Sequence, residues 1–178
     1  MRRLLASAGL GLAALGASVA LTAAPATAAT ATTRTPSVAT LIARCTTLHV
    51  APGTTPRAAM FTQLQCIRSN AHLPAFTQST PVAGVARHWS TSMAQAGSLQ
   101  HNPYLFDQAA AADTRWQTVG EIIGYTTAGK GQVSRVVAAW LISPHHRALL
   151  LDPHLKVVGI GLANGSGNLW ATVDLLDM

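Results

Sequence analysis

Charged residues are scarce in this sequence. Only 10% of its 178 residues are charged, and the 6 Asp and Glu residues are outnumbered by 12 Lys and Arg residues. The formal charge is +6 and the isoelectric point about 10.4, which reflects a shortage of acids. Basic residues form no cluster and do not alternate with aromatic residues. Proteins that bind nucleic acids concentrate positive charge on one face, so a nucleic-acid partner has little support.

Cysteines are also few. Cys45 and Cys66 are the only two, and they lack the C-x-x-C spacing of zinc sites, which argues against a metal role for them. In an exported chain, which meets an oxidising compartment, two cysteines are expected to form a disulfide. We expect this bond to be structural, because closing a loop of that size stabilises a fold by roughly 3 kcal/mol in the chain-entropy model.

The N-terminus carries the three parts of a secretory signal. Arg2 and Arg3 form a basic start, residues 4–21 are a run rich in Ala, Gly and Leu, and Ala26-Thr27-Ala28 resembles a cleavage site. A tilted apolar run of this length could instead stay in the membrane as an anchor, but the small residues favour cleavage after Ala28. We therefore predict that residues 1–28 are a signal peptide and that the mature protein is secreted, without membrane attachment.

Two regions follow the signal. Residues 29–59 begin as a Thr/Ala-rich run without periodicity, and we predict a flexible leader and an N-terminal arm there. Residues 60–178 are long enough for one domain with a substantial core. No internal repeat is present in the sequence.

Two helices are predicted in the first half of the domain. Apolar residues recur at helical spacing over residues 60–71 and again over residues 82–96, where Gly97 stands at the position of a C-terminal cap. His101 follows the second helix and precedes a turn, a place from which side chains reach into clefts. Residues 107–116 are Ala-rich and have no clear assignment.

The clearest helix covers residues 133–141, whose apolar side chains recur at i, i+3, i+4, i+7 and i+8. Pro144 must end this helix. Ser143 is then predicted to cap a second, short helix with its side chain, which places His146 in the first turn. His145 and His146 point about 100° apart on a helix, so only one of them can face a given site.

Three strands are predicted around this pair of helices. Residues 119–125 are apolar and β-branched, and the period of two puts Glu121 on the same face as apolar neighbours. A carboxylate there needs a partner, because a buried unpaired charge is costly, and the histidines are the natural candidates. Residues 156–163 and 169–176 alternate as the strands of a hairpin with a turn-rich loop over residues 164–168.

Four motifs resemble those of one family. They are His101-Asn102-Pro103, Gly120-Glu121-Ile122-Ile123, Trp140-Leu141-Ile142-Ser143-Pro144-His145-His146-Arg147, and Val158-Gly159-Ile160-Gly161 with Trp170. Their order and spacing resemble the bacterial branch of the CAP superfamily, the SCP-like domain shared by cysteine-rich secretory proteins, antigen 5 and plant pathogenesis-related proteins. The resemblance covers about residues 60–178. It implies an α+β fold, a three-layer α-β-α sandwich with a central antiparallel sheet.

The resemblance also implies a cleft where two histidines meet one or two glutamates. By position, the family histidines correspond to His101 and His146, and the glutamate corresponds to Glu121. Two departures are visible. Ile122 stands where the family usually has asparagine, and Ser143 stands where many eukaryotic members have the second glutamate, as is common in the bacterial branch. The loss of that carboxylate weakens any metal site.

Three functions from different classes follow from these observations. The leading interpretation is a secreted binding module, favoured over an enzyme, with a cleft in which His101, Glu121 and His146 can hold a divalent cation such as Zn²⁺, Mg²⁺ or Ca²⁺. A small hydrophobic ligand such as a lipid or sterol, bound elsewhere on the domain, or an extracellular protein is then the further partner. The first alternative is a metal-dependent hydrolase of peptides or esters, although the H-E-x-x-H and G-x-S-x-G motifs are absent. The second is a structural or interaction domain in which Glu121 and a histidine form a metal-free hydrogen-bonded network.

Overall fold

The computed structural model describes residues 36–49 and 51–177, all of which belong to one compact unit, Arg34–Met178. The predicted signal peptide and the first residues of the predicted leader lie outside the described residues. Those that are described form α1 (Val38–Cys45), α2 (Pro56–Asn70), β1 (Thr77–Gln78), α3 (Thr80–Ala96), α4 (Leu105–Ala112), β2 (Val119–Thr127), α5 (Gln132–Ile142), α6 (Pro144–Leu150), β3 (Leu155–Gly165) and β4 (Asn168–Asp177). None of these helices is both long and apolar enough to cross a bilayer.

The described strands form one sheet in the order β1-β3-β4-β2. β4 lies between β2 and β3 and pairs antiparallel with both of them. β1 adds two residues that run parallel to β3. The predicted antiparallel sheet is thus confirmed for the three long strands, and the short parallel strand at the edge makes the sheet mixed. Two residues are too few to show a periodic pattern, so the sequence did not reveal β1.

β3 and β4 form the predicted hairpin, with a tighter turn than expected. The ladder continues to the pair of Gly165 and Asn168, so only Ser166 and Gly167 remain for the turn. Both have positive φ angles, 52° and 73°, which is the backbone conformation of a type I′ turn. The loop predicted over residues 164–168 is therefore mostly strand.

Helices cover both faces of the sheet, which confirms the three-layer α-β-α arrangement. On one face, α1, α2 and α5 contribute Leu41, Leu64 and Trp140 to the main core, where these side chains are buried. On the other face, α3 lies so close to β3 that a Cβ on Gly159 or Gly161 would collide with its backbone. These two glycines therefore set the distance between α3 and the sheet.

α1 lies in the region assigned from the sequence to the N-terminal arm, and it is part of the core. Leu41 and Cys45 have no exposed surface. Ser37 caps the helix, because its side-chain oxygen accepts the N–H of Thr40. Cys45 is bonded to Cys66 of α2, so the expected disulfide is confirmed. The disulfide and the apolar contacts together hold α1 against α2.

The break between α5 and α6 falls where Pro144 predicts it. Ser143 is the N-cap residue of α6, but its side chain makes no capping hydrogen bond, so this part of the prediction is wrong. The carbonyl of Ser143 instead accepts the N–H of Arg147 at 2.9 Å. The start of α6 relies on the fixed φ of proline at the first helical position, which is already suited to a helix.

Candidate functional site

Glu121 lies on β2 with its side chain on the face that packs against α3. Its side chain is only 2% exposed. Its Oε1 atom is 2.7 Å from Nδ1 of His101 and accepts the backbone N–H of Asn102 at 2.9 Å. The buried carboxylate thus has the histidine partner that its position requires, and that partner is His101.

The backbone on either side of His101 is anchored. The indole N–H of Trp89 on α3 donates to the carbonyl of Gln100 at 2.8 Å. The side-chain oxygen of Asn102 accepts the N–H of Tyr104 at 3.0 Å, and Asn102 is buried. These bonds place the His101 ring at a fixed position beside β2.

A cleft of about 350 Å³ opens beside the pair of His101 and Glu121. Its lining combines imidazole, amide and carboxylate groups with an apolar wall: His101, Asn102, Leu105, Phe106, Val119, Gly120, Glu121, His145 and Leu149. The side chain of His101 is 58% exposed, and Phe106 is 66% exposed. A ligand can therefore reach both the imidazole and the apolar wall.

The structure brings both adjacent histidines to the start of α6. Their ring centroids are 5.9 Å apart, and their planes are inclined by 57°. His145 lines the cleft. His146 is half-buried, and its pKa is lowered by burial first and then by the charges of His145 and His101. Both imidazoles therefore lie near His101, and the choice of His146 as the ligating histidine stays a prediction.

The three predicted ligands do not form a ready coordination shell. Within residues 36–49 and 51–177, no three His, Cys, Asp or Glu side chains are placed to hold one metal ion together. The Oε1 atom of Glu121 is already engaged by His101 and Asn102. This arrangement fits a carboxylate that orients a histidine better than a carboxylate that binds a metal directly.

Asp174 on β4 is a second acid near the site, and no sequence motif pointed to it. It is the ladder partner of Glu121 and has no exposed surface. Neither of its carboxyl oxygens, nor Oε2 of Glu121, has a hydrogen-bond partner in the part of the chain that the structure describes. Burial and the charge of Glu121 raise the pKa of Asp174 well above its usual value. An aspartate in the middle of a largely apolar strand was the signal that could have found it.

Residues 64–174 match the family described as CAP, the cysteine-rich secretory protein family. The chain belongs to this family. The matched range includes His101, Glu121 and His146, and the family resemblance found from the sequence motifs is confirmed. No curated protein matches this CAP-family chain.

Solved structures share the fold. An extracellular protein containing a SCP domain from Bacillus anthracis is 22% identical, with a TM-score of 0.60 over 74% of this chain and 46% of its own. An outer surface protein from Borrelia burgdorferi is 16% identical, with a TM-score of 0.62 over 72% of this chain and 97% of its own. A cysteine-rich secretory protein from Staphylococcus aureus is 16% identical, with a TM-score of 0.56 over 69% of this chain and 39% of its own. This CAP chain thus spans less than half of the Bacillus and Staphylococcus proteins.

Proposed function

We propose that this CAP-family protein is an extracellular binding module and that the cleft beside His101 is its ligand site. The observation that carries the proposal is the 2.7 Å bond between Nδ1 of His101 and Oε1 of Glu121. A neutral histidine that donates its Nδ1–H to a carboxylate keeps the lone pair of Nε2 free. Because the ring is 58% exposed, that lone pair is available to a ligand in the cleft.

A divalent cation is the first proposed ligand. His101 and His146 would supply imidazole nitrogens, and Glu121 would hold His101 in the tautomer that binds metals. Water or a second ligand would complete the coordination, since the described residues supply no third donor in place. A bound cation would act as a Lewis acid toward an oxygen atom of a second ligand that coordinates it.

The apolar wall of the cleft supports a small hydrophobic ligand, a lipid or sterol, as the second component. Leu105, Phe106, Val119 and Leu149 line this wall. Each Å² of apolar surface removed from water there contributes about 25 cal/mol. A molecule with a polar head near His101 and an apolar tail along the wall matches the lining better than a purely polar solute.

The extracellular location is proposed from the sequence and from the relatives. Residues 1–28 have the pattern of a signal peptide. The Bacillus relative is an extracellular protein, and the Borrelia relative is an outer surface protein. The disulfide between Cys45 and Cys66 is of the kind that forms in oxidising compartments.

The test is isothermal titration of Zn²⁺, Mg²⁺ and Ca²⁺ into metal-stripped protein without residues 1–28. His101→Ala and His146→Ala should abolish the binding. Glu121→Gln should weaken it by about 10–100-fold, because the orienting charge is lost. His88→Ala is the matched control, since His88 is an exposed residue on α3.

Saturable binding that only the cleft variants lose would support the cation site. It should also weaken as the pH falls below about 6.5, because protonated imidazole cannot bind a metal and burial lowers the pKa of His146 from that ordinary value. A folded protein that binds none of the three cations would leave Glu121 and His101 as a structural pair and would remove the metal from the proposal.

A further inference from the structure

The outer edge of β3 is open beyond β1. β1 ends where the N–H of Ser79 donates to the carbonyl of Val158 at 3.0 Å. Because successive residues of a strand direct their backbone groups to opposite sides, Ile160, Leu162 and Asn164 direct theirs to the same side as Val158. No described residue forms a hydrogen bond with these outward N–H and C=O groups. Such an edge is a template for another strand.

A groove runs along this open edge. It consists of two adjoining depressions of about 220 Å³ and 340 Å³ that share Arg57 and Leu162. The start of α2 forms one wall, and the first half of α3, with Gly84 and Arg87, forms the other. A Cβ on Gly84 would meet open space. The groove therefore has room beside the strand edge.

Two arginines face the groove without a carboxylate partner. Arg57 and Arg87 are exposed, and neither forms an ion pair with any described residue. The acids of the whole sequence are Asp107, Asp113, Glu121, Asp152, Asp174 and Asp177. None of them lines the groove. The unpaired positive charge therefore favours a partner that brings carboxylates with it.

We propose that the open edge of β3 docks an extended, acidic peptide of another protein as an additional β-strand. The backbone groups of Ile160, Leu162 and Asn164 would pair with the peptide backbone, as in other complexes formed by strand addition. Arg57 and Arg87 would bind carboxylate side chains of the peptide.

Other occupants of the groove fit less well. A second copy of this chain, paired edge to edge, would bring the arginines of both copies together, and like charges repel. The Thr/Ala-rich residues 29–35 contain no acid, so they do not complement Arg57 and Arg87. An acidic peptide can pair with the open edge of β3 and also neutralise the charges of Arg57 and Arg87.

The experiment measures binding of a fluorescein-labelled octapeptide that alternates glutamate and valine, by fluorescence anisotropy. Gly84→Leu should abolish binding by filling the groove, and it should still fold, because leucine favours a helix more than glycine does. The double variant Arg57→Gln/Arg87→Gln should weaken binding at least about tenfold. Lys130→Gln, which removes one exposed charge in another loop, should have no effect.

Two further probes separate strand addition from general charge attraction. The same peptide with lysine in place of glutamate, or with alternate amides N-methylated, should not bind. In the complex, the amide hydrogens of Ile160, Leu162 and Asn164 should exchange more slowly. The proposal is overturned if folded wild type does not bind the peptide, if Gly84→Leu binds it equally, or if Lys130→Gln weakens binding as much as the double variant. The arginines would then only keep the edge from pairing.

Discussion

Two carboxyl groups face each other on neighbouring strands, and only that of Glu121 has hydrogen-bond partners among the described residues. Oε1 of Glu121 lies 2.7 Å from Nδ1 of His101 and accepts the backbone N–H of Asn102. Asp174 has no partner among the described residues, and both burial and the charge of Glu121 raise its pKa. The folded protein therefore favours the neutral form of Asp174.

This difference predicts that Asp174→Asn stabilises the protein at neutral pH. The pKa of Asp174 is higher in the folded state than in the unfolded state. Its contribution to the free energy of unfolding is therefore favourable at acid pH and is lost as the pH rises above about 4. Asparagine has nearly the same shape as aspartate but does not ionise, so the variant does not lose this stability as the pH rises. We expect a gain of roughly 1–3 kcal/mol at pH 7 and little gain near pH 3, measured by thermal unfolding at both values. A lower Tm of the variant at pH 7 would contradict a neutral Asp174.

Among the elements, α2 is connected to the segments around it by one buried arginine. Arg68 has no exposed surface. Its guanidinium donates to the carbonyls of Pro74 at 2.8 Å, Leu150 at 3.3 Å and Asp152 at 2.6 Å. It also lies over the ring of Phe76, 4.4 Å from the centroid. One side chain thus joins α2 to the loop before β1 and to the end of α6.

Arg68→Ala is predicted to destabilise the fold strongly. The substitution leaves the carbonyls of Pro74, Leu150 and Asp152 without their donor in the interior, a cost of roughly 3–5 kcal/mol. Urea unfolding at 25 °C measures this change. Arg44→Ala is the control, because the exposed Arg44 donates only to the side chain of Asn70, and it should cost about 1 kcal/mol or less. Equal effects of the two variants would refute the role of Arg68.

Elements with a strong period of their own were predictable from the sequence. α5 has apolar residues at helical spacing, and Pro144 marks the break that follows it. The strands of the β3–β4 hairpin have apolar residues at strand spacing. α1 and α4 have only eight residues each, and helices of that length depend on tertiary packing rather than on propensity. The Arg68 contacts join segments far apart in the chain, which no local pattern can show.

The candidate site was predictable only in part, because local periodicity does not show which distant segments pack together. Strand period placed Glu121 on a buried face, but the choice of His101 as its partner required the packing of α3 against the sheet. Motif resemblance pointed to His146, whereas the structure places His145 on the cleft wall. Asp174 lies opposite Glu121 because of the register between β2 and β4. That register cannot be predicted from the sequence of either strand alone.

At the scale of the whole molecule, the single disulfide joins the first described helix to the rest of the core. Cys45 and Cys66 are 21 residues apart in sequence, and Leu41 of α1 lies completely buried in the same core. A cross-link of this length restricts the unfolded chain and so favours the folded state. Reduction should therefore loosen α1 first while the sheet and the remaining helices keep their packing.

Reduction of this bond is predicted to lower the free energy of unfolding by roughly 3 kcal/mol. Urea unfolding with and without reductant measures the difference, and amide hydrogen exchange should show faster exchange in α1 than in α3. The double variant Cys45→Ala/Cys66→Ala is the control and should not respond to reductant. A reduced wild type as stable as the oxidised protein would contradict the prediction.

The positions of the tryptophans have an optical consequence. The indoles of Trp89, Trp140 and Trp170 are buried, and each donates its N–H to a backbone carbonyl. Trp116 is half-buried, with its ring centroid 6.2 Å from that of Phe106 at the wall of the cleft. Three tryptophans are thus shielded from solvent, while the fourth, Trp116, lies beside the proposed ligand site. The protein carries its own fluorescent reporter of cleft occupancy, and no attached dye is needed to follow binding there.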